Sequence, residues 1–307
     1  MSDSNQKKTQ KNGISQKSDN DTESILLKIK PNYGNRNHYY HFFFGIFIPL
    51  LDFFRTENHI VFGKNLEYLI ETCGPFDTFF KLLPCKVTPI SHSVFLKAEE
   101  ALCLNEILLK GYDGTKYYDK NTFEGARSFF CKIHESSLRS SELNYSKYWS
   151  DTHKKILVVS RGRPLEFYSQ IGRTSGNLRR SIPNINQLEN SLENVVLIEL
   201  EGMSLINQVN LFSNADIIIA QHGAALSNIV WCKRKAIIIE IIPNKKRKKG
   251  HFRRLSKIIC LKYFEVIQDG DHSIIDTEEI KKIVYNNKLG VRARLWRMIW
   301  RIRDFRY

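Results

Sequence analysis

The sequence predicts an α/β chain whose second half is a doubly wound parallel sheet. Three observations carry this. Short β-branched runs recur between residues 156 and 266, the runs are continuously apolar and do not alternate, and segments with helical spacing separate them. Continuous apolar runs are expected where helices cover both faces of a sheet. Strand–helix alternation at this interval specifies parallel strands joined by right-handed crossovers. A chain of 307 residues has room for two compact halves, and 42 % hydrophobic with 12 % aromatic residues supplies a core, which excludes wholesale disorder.

Residues 1–24 are dominated by Ser, Asn, Gln, Lys and Asp, and are expected to form a polar, flexible tail without a secretory apolar stretch. Residues 25–150 make a first domain whose topology the pattern does not specify. Within it, Tyr39–Phe54 (YYHFFFGIFIPLLDFF) is the most apolar stretch. Its uninterrupted run, Phe42–Leu51, is about half of the roughly 20 residues a membrane span needs, and Pro49 lies inside it, so it reads as a buried helix. His59–Phe62 (HIVF) reads as a short strand, and Thr122–Leu138 has helical spacing.

The strands of the second domain, residues 151–270, are Ile156–Ser160 (ILVVS), Val195–Ile198 (VVLI), Asp216–Ala220 (DIIIA), Ala236–Ile241 (AIIIEI) and Tyr263–Val266 (YFEV). Ser204 is a helix N-cap, with Leu205, Ile206, Val209 and Phe212 on one stripe behind it. Ligands of such sheets sit beyond the carboxyl ends of the strands. There the third strand runs into Gln221-His222-Gly223-Ala224-Ala225 and a helix, and small residues with free N–H groups suit a phosphate. His222 either contacts the ligand or caps the turn; Asn228 lies about a turn and a half further on. The first strand ends in Ser160-Arg161-Gly162-Arg163 at the same edge, and Arg179-Arg180 precede a helix that starts at Asn184; arginines there offer bidentate contacts to a diphosphate. Glu240, within an apolar strand, either accepts the hydroxyls of a ribose or reaches solvent at the strand end. Neither GxGxxG nor GxxxxGK[ST] occurs, which argues against dinucleotide oxidoreductases and P-loop NTPases.

The net charge is +15, and from Asn244 onward 18 Lys/Arg stand against 7 Asp/Glu. That concentration calls for an anionic partner. The basic run KKRKK lies outside any recognition motif, so nucleic acid is not expected, although a basic nucleic-acid-binding protein is the alternative the charge allows. Residues 271–307 are read as a basic helical tail, because Val291–Tyr307 (VRARLWRMIWRIRDFRY) combines an apolar arc, flanking arginines and a Trp stripe. Such a helix docks either on an anionic membrane surface or back on the first domain. Six scattered cysteines without zinc-ligand spacing suggest reduced thiols and a cytoplasmic setting, peripheral to the inner face of the membrane if the tail docks there.

The segment Ile156–Val266 resembles glycosyltransferase family 61. Gln221–Asn228 (QHGAALSN) is similar to that family's HGAGLTN-type motif and is preceded by the matching Leu211–Asp216 (LFSNAD) and Gln208. Ser160-Arg161 matches the family's strand-ending SR. Arg180, Asn184 and Leu188 match its R-x-x-x-N-x-x-x-L, Glu240 matches a strand Glu, and His251–Val266 resembles its closing helix and strand. Asn37–Leu51 resembles the opening NYYHFLFDxLPRL, with Gly45 where Asp is usual and Ile48-Pro49 in place of Leu-Pro-Arg. The resemblance implies a GT-B-like fold of two Rossmann-like halves facing a cleft, with a nucleotide-sugar held by the second half. It further implies inverting transfer to a glycan or lipid-linked acceptor in polysaccharide biosynthesis, without metal or other cofactor. The donor site would then comprise Ser160, Arg161, Arg180, Asn184, His222, Gly223, Ala224, Asn228 and Glu240. His41 matches the motif's His and is the expected general base, although Gly45 removes a carboxylate that would orient it. An inactive scaffold is the reading that Gly45 suggests. Asp269-Gly270-Asp271 has DxD form but lies past the last strand, and no metal ligand is expected there.

Overall fold

The computed structural model describes residues 23–30, 36–56, 66–100, 105–110, 119–145, 148–151, 153–173 and 175–288. The expected strand His59–Phe62 and the amphipathic Val291–Tyr307 lie outside these residues. In the first half, β1 (Glu23–Lys30) leads to α1 (Tyr39–Phe42), a π-helical turn (Phe43–Phe47) and α2 (Ile48–Thr56). Then come β2 (Leu66–Glu71), a 3₁₀ segment (Gly74–Leu82), β3 (Lys86–Ile90), α3 (His92–Glu100) and β4 (Asn105–Lys110). The four strands are parallel in the order β3-β2-β1-β4. Pro89, which has no N–H to donate, sits on the edge strand β3.

The Tyr39–Phe54 stretch is the buried helix its composition demands, with Phe42–Leu51 all buried. Its middle widens because Pro49 cannot donate to the carbonyl of Gly45 and its ring would crowd that carbonyl; a π turn over Phe43–Phe47 relieves both faults. Phe42 stacks on Phe76 at 5.1 Å, and Phe43 meets Trp231 of the second half edge-on at 5.9 Å, so one core runs through both halves. The Thr122–Leu138 helix is in fact two: α4 (Lys120–Ile133), capped by Asp119, and α5 (Glu135–Tyr145). They part at His134, whose Nε2 lies 2.8 Å from the Leu82 carbonyl.

The second half contains β5 (Ile156–Ser160), α6 (Glu166–Gln170), α7 (Gly176–Arg179), α8 (Ile185–Asn190), β6 (Val195–Glu199), α9 (Leu205–Asn214) and β7 (Ile217–Gln221). It continues through a 3₁₀ segment (Ala224–Trp231), β8 (Ile237–Pro243), a second 3₁₀ segment (Asn244–Lys249), α10 (His251–Ile258), β9 (Lys262–Gln268) and α11 (Thr277–Lys288). Its five strands are all parallel, in the order β6-β5-β7-β8-β9, and fall within two residues of the runs read from sequence. Successive β7 residues enter different cores: Ile217 and Ile219 pack under one face, Ile218 and Ala220 under the other. That is why the run is continuous and not alternating.

Two boundaries differ from the sequence reading. The second half continues past residue 270, because Ile280 and Val284 of α11 are fully buried in its outer core. And α5 belongs to the second half by contact: Ser141 donates to Asn207 at 2.7 Å, and Asn210 donates to the Leu138 carbonyl at 2.8 Å. The segment after Gly223 is 3₁₀, not an α-helix.

Candidate functional site

In the second sheet the chain leaves β5 toward β6 on one side and returns to β7 on the other, so β5 and β7 flank the topological switch point where open α/β sheets bind ligands. A cleft of about 720 Å³ opens there. Its far wall comes from segments after β1 and β2 in the first sheet, with His38, Tyr39, Phe76 and Phe79. Its near wall holds Ser160 and Arg161 from the end of β5 and Ala224 and Ala225 from the turn after β7.

Two arginines meet at the centre. Arg161 Nη2 donates to the His222 carbonyl at 2.8 Å, and Arg180 Nη1 donates to the same oxygen at 2.5 Å. Arg180 is only 5 % exposed. Burial, and then the neighbouring Arg180, push Arg161 down to about 10, and burial with Arg179 lowers Arg180 as well. Among the described residues neither guanidinium has a carboxylate within ion-pair distance, and Arg161 Nε is buried without a hydrogen-bond partner. Carboxylates act on them only from beyond ion-pair distance, Glu201 and Asp271 on Arg161 and Asp271 and Glu240 on Arg180, and cations held this way without a direct partner are costly and suit a ligand that supplies the anion. Gly223 makes the approach possible, since a Cβ there would stand 1.8 Å from Arg161 Nη2. The first N–H groups of the 3₁₀ segment open toward the same place, with Gly223 extended at φ 165°.

Below this centre His222 Nδ1 lies 2.5 Å from Glu240 Oε1, and the Tyr263 hydroxyl donates to Glu240 Oε2. Asn228, fully buried, donates to Gln208 at 2.8 Å and accepts from Tyr39 at 3.3 Å, tying the first-half helix to the cleft floor.

The family model described as Glycosyltransferase 61 matches residues 39–239. The chain belongs to glycosyltransferase family 61. Among solved structures it is similar to E. coli heptosyltransferase WaaC with ADP, at 10 % identity and TM-score 0.39, over 86 % of this chain and 99 % of that one. It is likewise similar to the same E. coli enzyme with ADP-2-deoxy-2-fluoro heptose, at 9 % identity and TM-score 0.34, over 77 % and 98 %. No curated protein matches. The two parallel sheets with a cleft at their carboxyl edges are the GT-B-like fold this glycosyltransferase was expected to have.

The cleft brings together Ser160, Arg161, Arg180, Ala224 and Asn228, with Gly223 beneath Arg161. Three of the expected donor-site residues are engaged within the fold. Glu240 does not reach solvent: it is 1 % exposed, and its oxygens are held by His222 and Tyr263. His222 Nδ1 is held by Glu240, and the residue's backbone carbonyl is what receives Arg161 and Arg180. Asn184 clamps Ile275, donating to its carbonyl and accepting from its N–H at 2.9 Å each, and so braces the loop before α11. His41 is not among the cleft's lining residues. His38 is, one turn earlier, at the N-cap of α1 with its side chain free of any capping bond. Burial lowers its pKa, aided by Arg179, His41 and Arg173. Asp271 pairs with Lys245, and among the described residues no group of three or more His, Cys, Asp or Glu side chains could hold a metal ion. No helix of the described residues is long and apolar enough to cross a membrane.

Sequence reasoning missed His38 and Glu201, both lining the cleft, and named Arg179 only as the neighbour of Arg180. The signal for His38 was its place directly before the aromatic helix. Glu201 follows β6, the strand next to β5.

Proposed function

We propose that the enzyme binds a nucleotide-sugar, with UDP-sugars as the first candidates, and transfers the sugar with inversion to a hydroxyl of a glycan or lipid-linked acceptor. The observation that carries this is the pair of guanidiniums, Arg180 buried and Arg161 half-buried, on one carbonyl at the switch point. They form a preorganised cationic seat for a diphosphate. In the transfer, a bond forms between the acceptor oxygen and the anomeric carbon while the bond from that carbon to the β-phosphate oxygen breaks. The electron pair passes to the diphosphate, where Arg161, Arg180 and the N–H groups after Gly223 receive the charge. The proton leaving the acceptor hydroxyl passes to neutral His38. The guanidiniums supply the charge a divalent metal would otherwise bring, so turnover should persist in excess EDTA.

The test is titration of the purified protein with UDP-, GDP- and ADP-sugars. Wild type should bind one class, and Arg180→Ala should weaken it roughly 10- to 150-fold, the equivalent of a charge-assisted contact of about 1.5–3 kcal/mol. Unchanged affinity in Arg161→Ala and Arg180→Ala, with circular dichroism intact, removes these residues from the site. Activity abolished by EDTA and rescued by manganese overturns the metal-free reading.

A further inference from the structure

Two carboxylates line the cleft without a part in the transfer chemistry, Glu166 and Glu201, and Glu201 is the one whose charge reaches Arg161. Glu201 follows the end of β6, and β6 lies beside β5 on the side away from β7. Its Oε2 accepts from the Gly162 N–H at 3.1 Å, yet the residue is solvent-accessible and lines the cleft. Gly162 is required for this arrangement. A Cβ there would stand 2.6 Å from Glu199 Oε2 and 3.0 Å from Glu201 Oε2, so with any other residue both carboxylates would have to draw back from the backbone at the end of β5. The pinned oxygen fixes the orientation of the group and leaves Oε1 to meet a ligand. Among the described residues no side chain donates to Glu201.

A carboxylate accepts hydrogen bonds and repels phosphate. It therefore marks a part of the ligand that is uncharged and rich in donors, adjacent to the anionic part held by Arg161 and Arg180. Neighbouring strands are about 4.8 Å apart. A ribose esterified to a diphosphate in that seat fits one strand over, on the β6 side where Glu201 lines the cleft. An acidic residue beyond the second strand serves this purpose in doubly wound sheets that bind nucleotides. Here the strand order puts Glu201 at that position, while Glu240 is sealed in the core.

We infer that Glu201 reads the donor's ribose, accepting hydrogen bonds from its 2′ and 3′ hydroxyls. This rests on the nucleotide-sugar reading above. Glu201 thereby makes the enzyme selective for ribonucleotide donors, and Gly162 is the positioning residue that presents it.

The experiment compares binding of UDP, GDP and ADP with that of their 2′-deoxy counterparts and of inorganic pyrophosphate, in wild type, Glu201→Ala, Glu201→Gln and Arg180→Ala. Wild type should prefer the ribonucleotide by about 10-fold or more, in keeping with a hydrogen bond to a charged acceptor. Glu201→Ala should bind ribo and deoxy forms alike, with pyrophosphate affinity not reduced; Glu201→Gln should keep part of the preference. Arg180→Ala should weaken all three ligand types while preserving the ratio of ribo to deoxy. A full ribose preference in Glu201→Ala overturns the assignment, as does a wild type that binds ribo and deoxy forms equally; both leave the donor reading standing. Wild type that binds pyrophosphate but no nucleotide, or none of these ligands, overturns the donor reading and this inference with it.

Discussion

The central strands of the second sheet are buried on both faces, whereas the first sheet leaves much of its surface half-exposed. Every residue of β7 and β8 is buried, and the sole ionisable side chain across β5, β7 and β8 is the paired Glu240. In the first sheet, β2 and β3 bury only three residues between them, and charged side chains sit on the strands themselves. Lys28 on β1 bridges Glu99 at 2.8 Å and Glu106 at 2.6 Å, and Lys86 on β3 bridges Glu67 at 3.0 Å. The helix α3 that follows β3 buries none of its residues. Two sheets of the same parallel class thus reach stability differently. The donor side is a dry, two-faced platform that holds buried cations in place. The opposite wall depends on one aromatic helix and on surface ion pairs, each worth about 0–1 kcal/mol.

This contrast breaks or holds most visibly in the cores. Ile219 on β7 is fully buried, and Ile219→Ala should cost about 2–5 kcal/mol in urea unfolding. Leu108 on β4 is 66 % exposed, and Leu108→Ala should stay within about 0.5 kcal/mol of wild type. Equal losses at the two positions would mean that the first sheet is covered as tightly as the second.

A smaller effect sharpens the account of the donor platform. Because Arg161 and Arg180 share the His222 carbonyl, removing one guanidinium leaves that oxygen satisfied by the other. It also removes a half-buried cation held below its ordinary pKa. Arg161→Met should therefore melt about 1–2 °C above wild type without ligand, the shift that roughly 1 kcal/mol produces at this chain size, while losing donor affinity. A lower melting temperature would show that Arg161 holds the fold together and is not a cost carried for the ligand.

The same contrast decides what was legible beforehand. ILVVS, DIIIA and AIIIEI could be placed to within two residues because burial on both faces leaves no polar interruption. In the first half, β1 opens at Glu23, inside the segment read as a polar tail, and Lys28, Lys86 and Pro89 interrupt its strands. Their ion-pair partners come from α3, β4 and β2, which no local pattern reveals. Within the site, Arg161 and Ala224 followed from strand ends, and Arg180 from a basic pair before a helix together with the family's R-x-x-x-N-x-x-x-L. The roles of Glu240 and Asn184 depended on Tyr263 and on Ile275, distant in sequence and brought near only by the parallel crossovers. Periodicity places His38 and His41 one turn apart but does not say which of them meets the cleft.

The smallest expected effect lies on that opposite wall, in the pH dependence of transfer. His38 must be neutral to take the acceptor's proton, and its pKa is lowered from 6.5, first by burial and then by Arg179, His41 and Arg173. The neutral form consequently persists to a pH below 6.5, and the acid limb of kcat/KM should lie below that value. The sign for stability is the same: the unfolded chain takes up the proton first, so His38 favours the fold above pH 6.5 and that contribution is lost as pH falls toward its folded pKa. Arg179→Ala removes a cation that disfavours the imidazolium, so the acid limb should move up toward 6.5, a shift of a fraction of a pH unit. His41→Ala removes a weaker influence of the same sign and should move the limb less. Should the limb stay fixed in Arg179→Ala but disappear in His41→Ala, the base would be His41, and the cleft wall would have to turn by one helical step to present it.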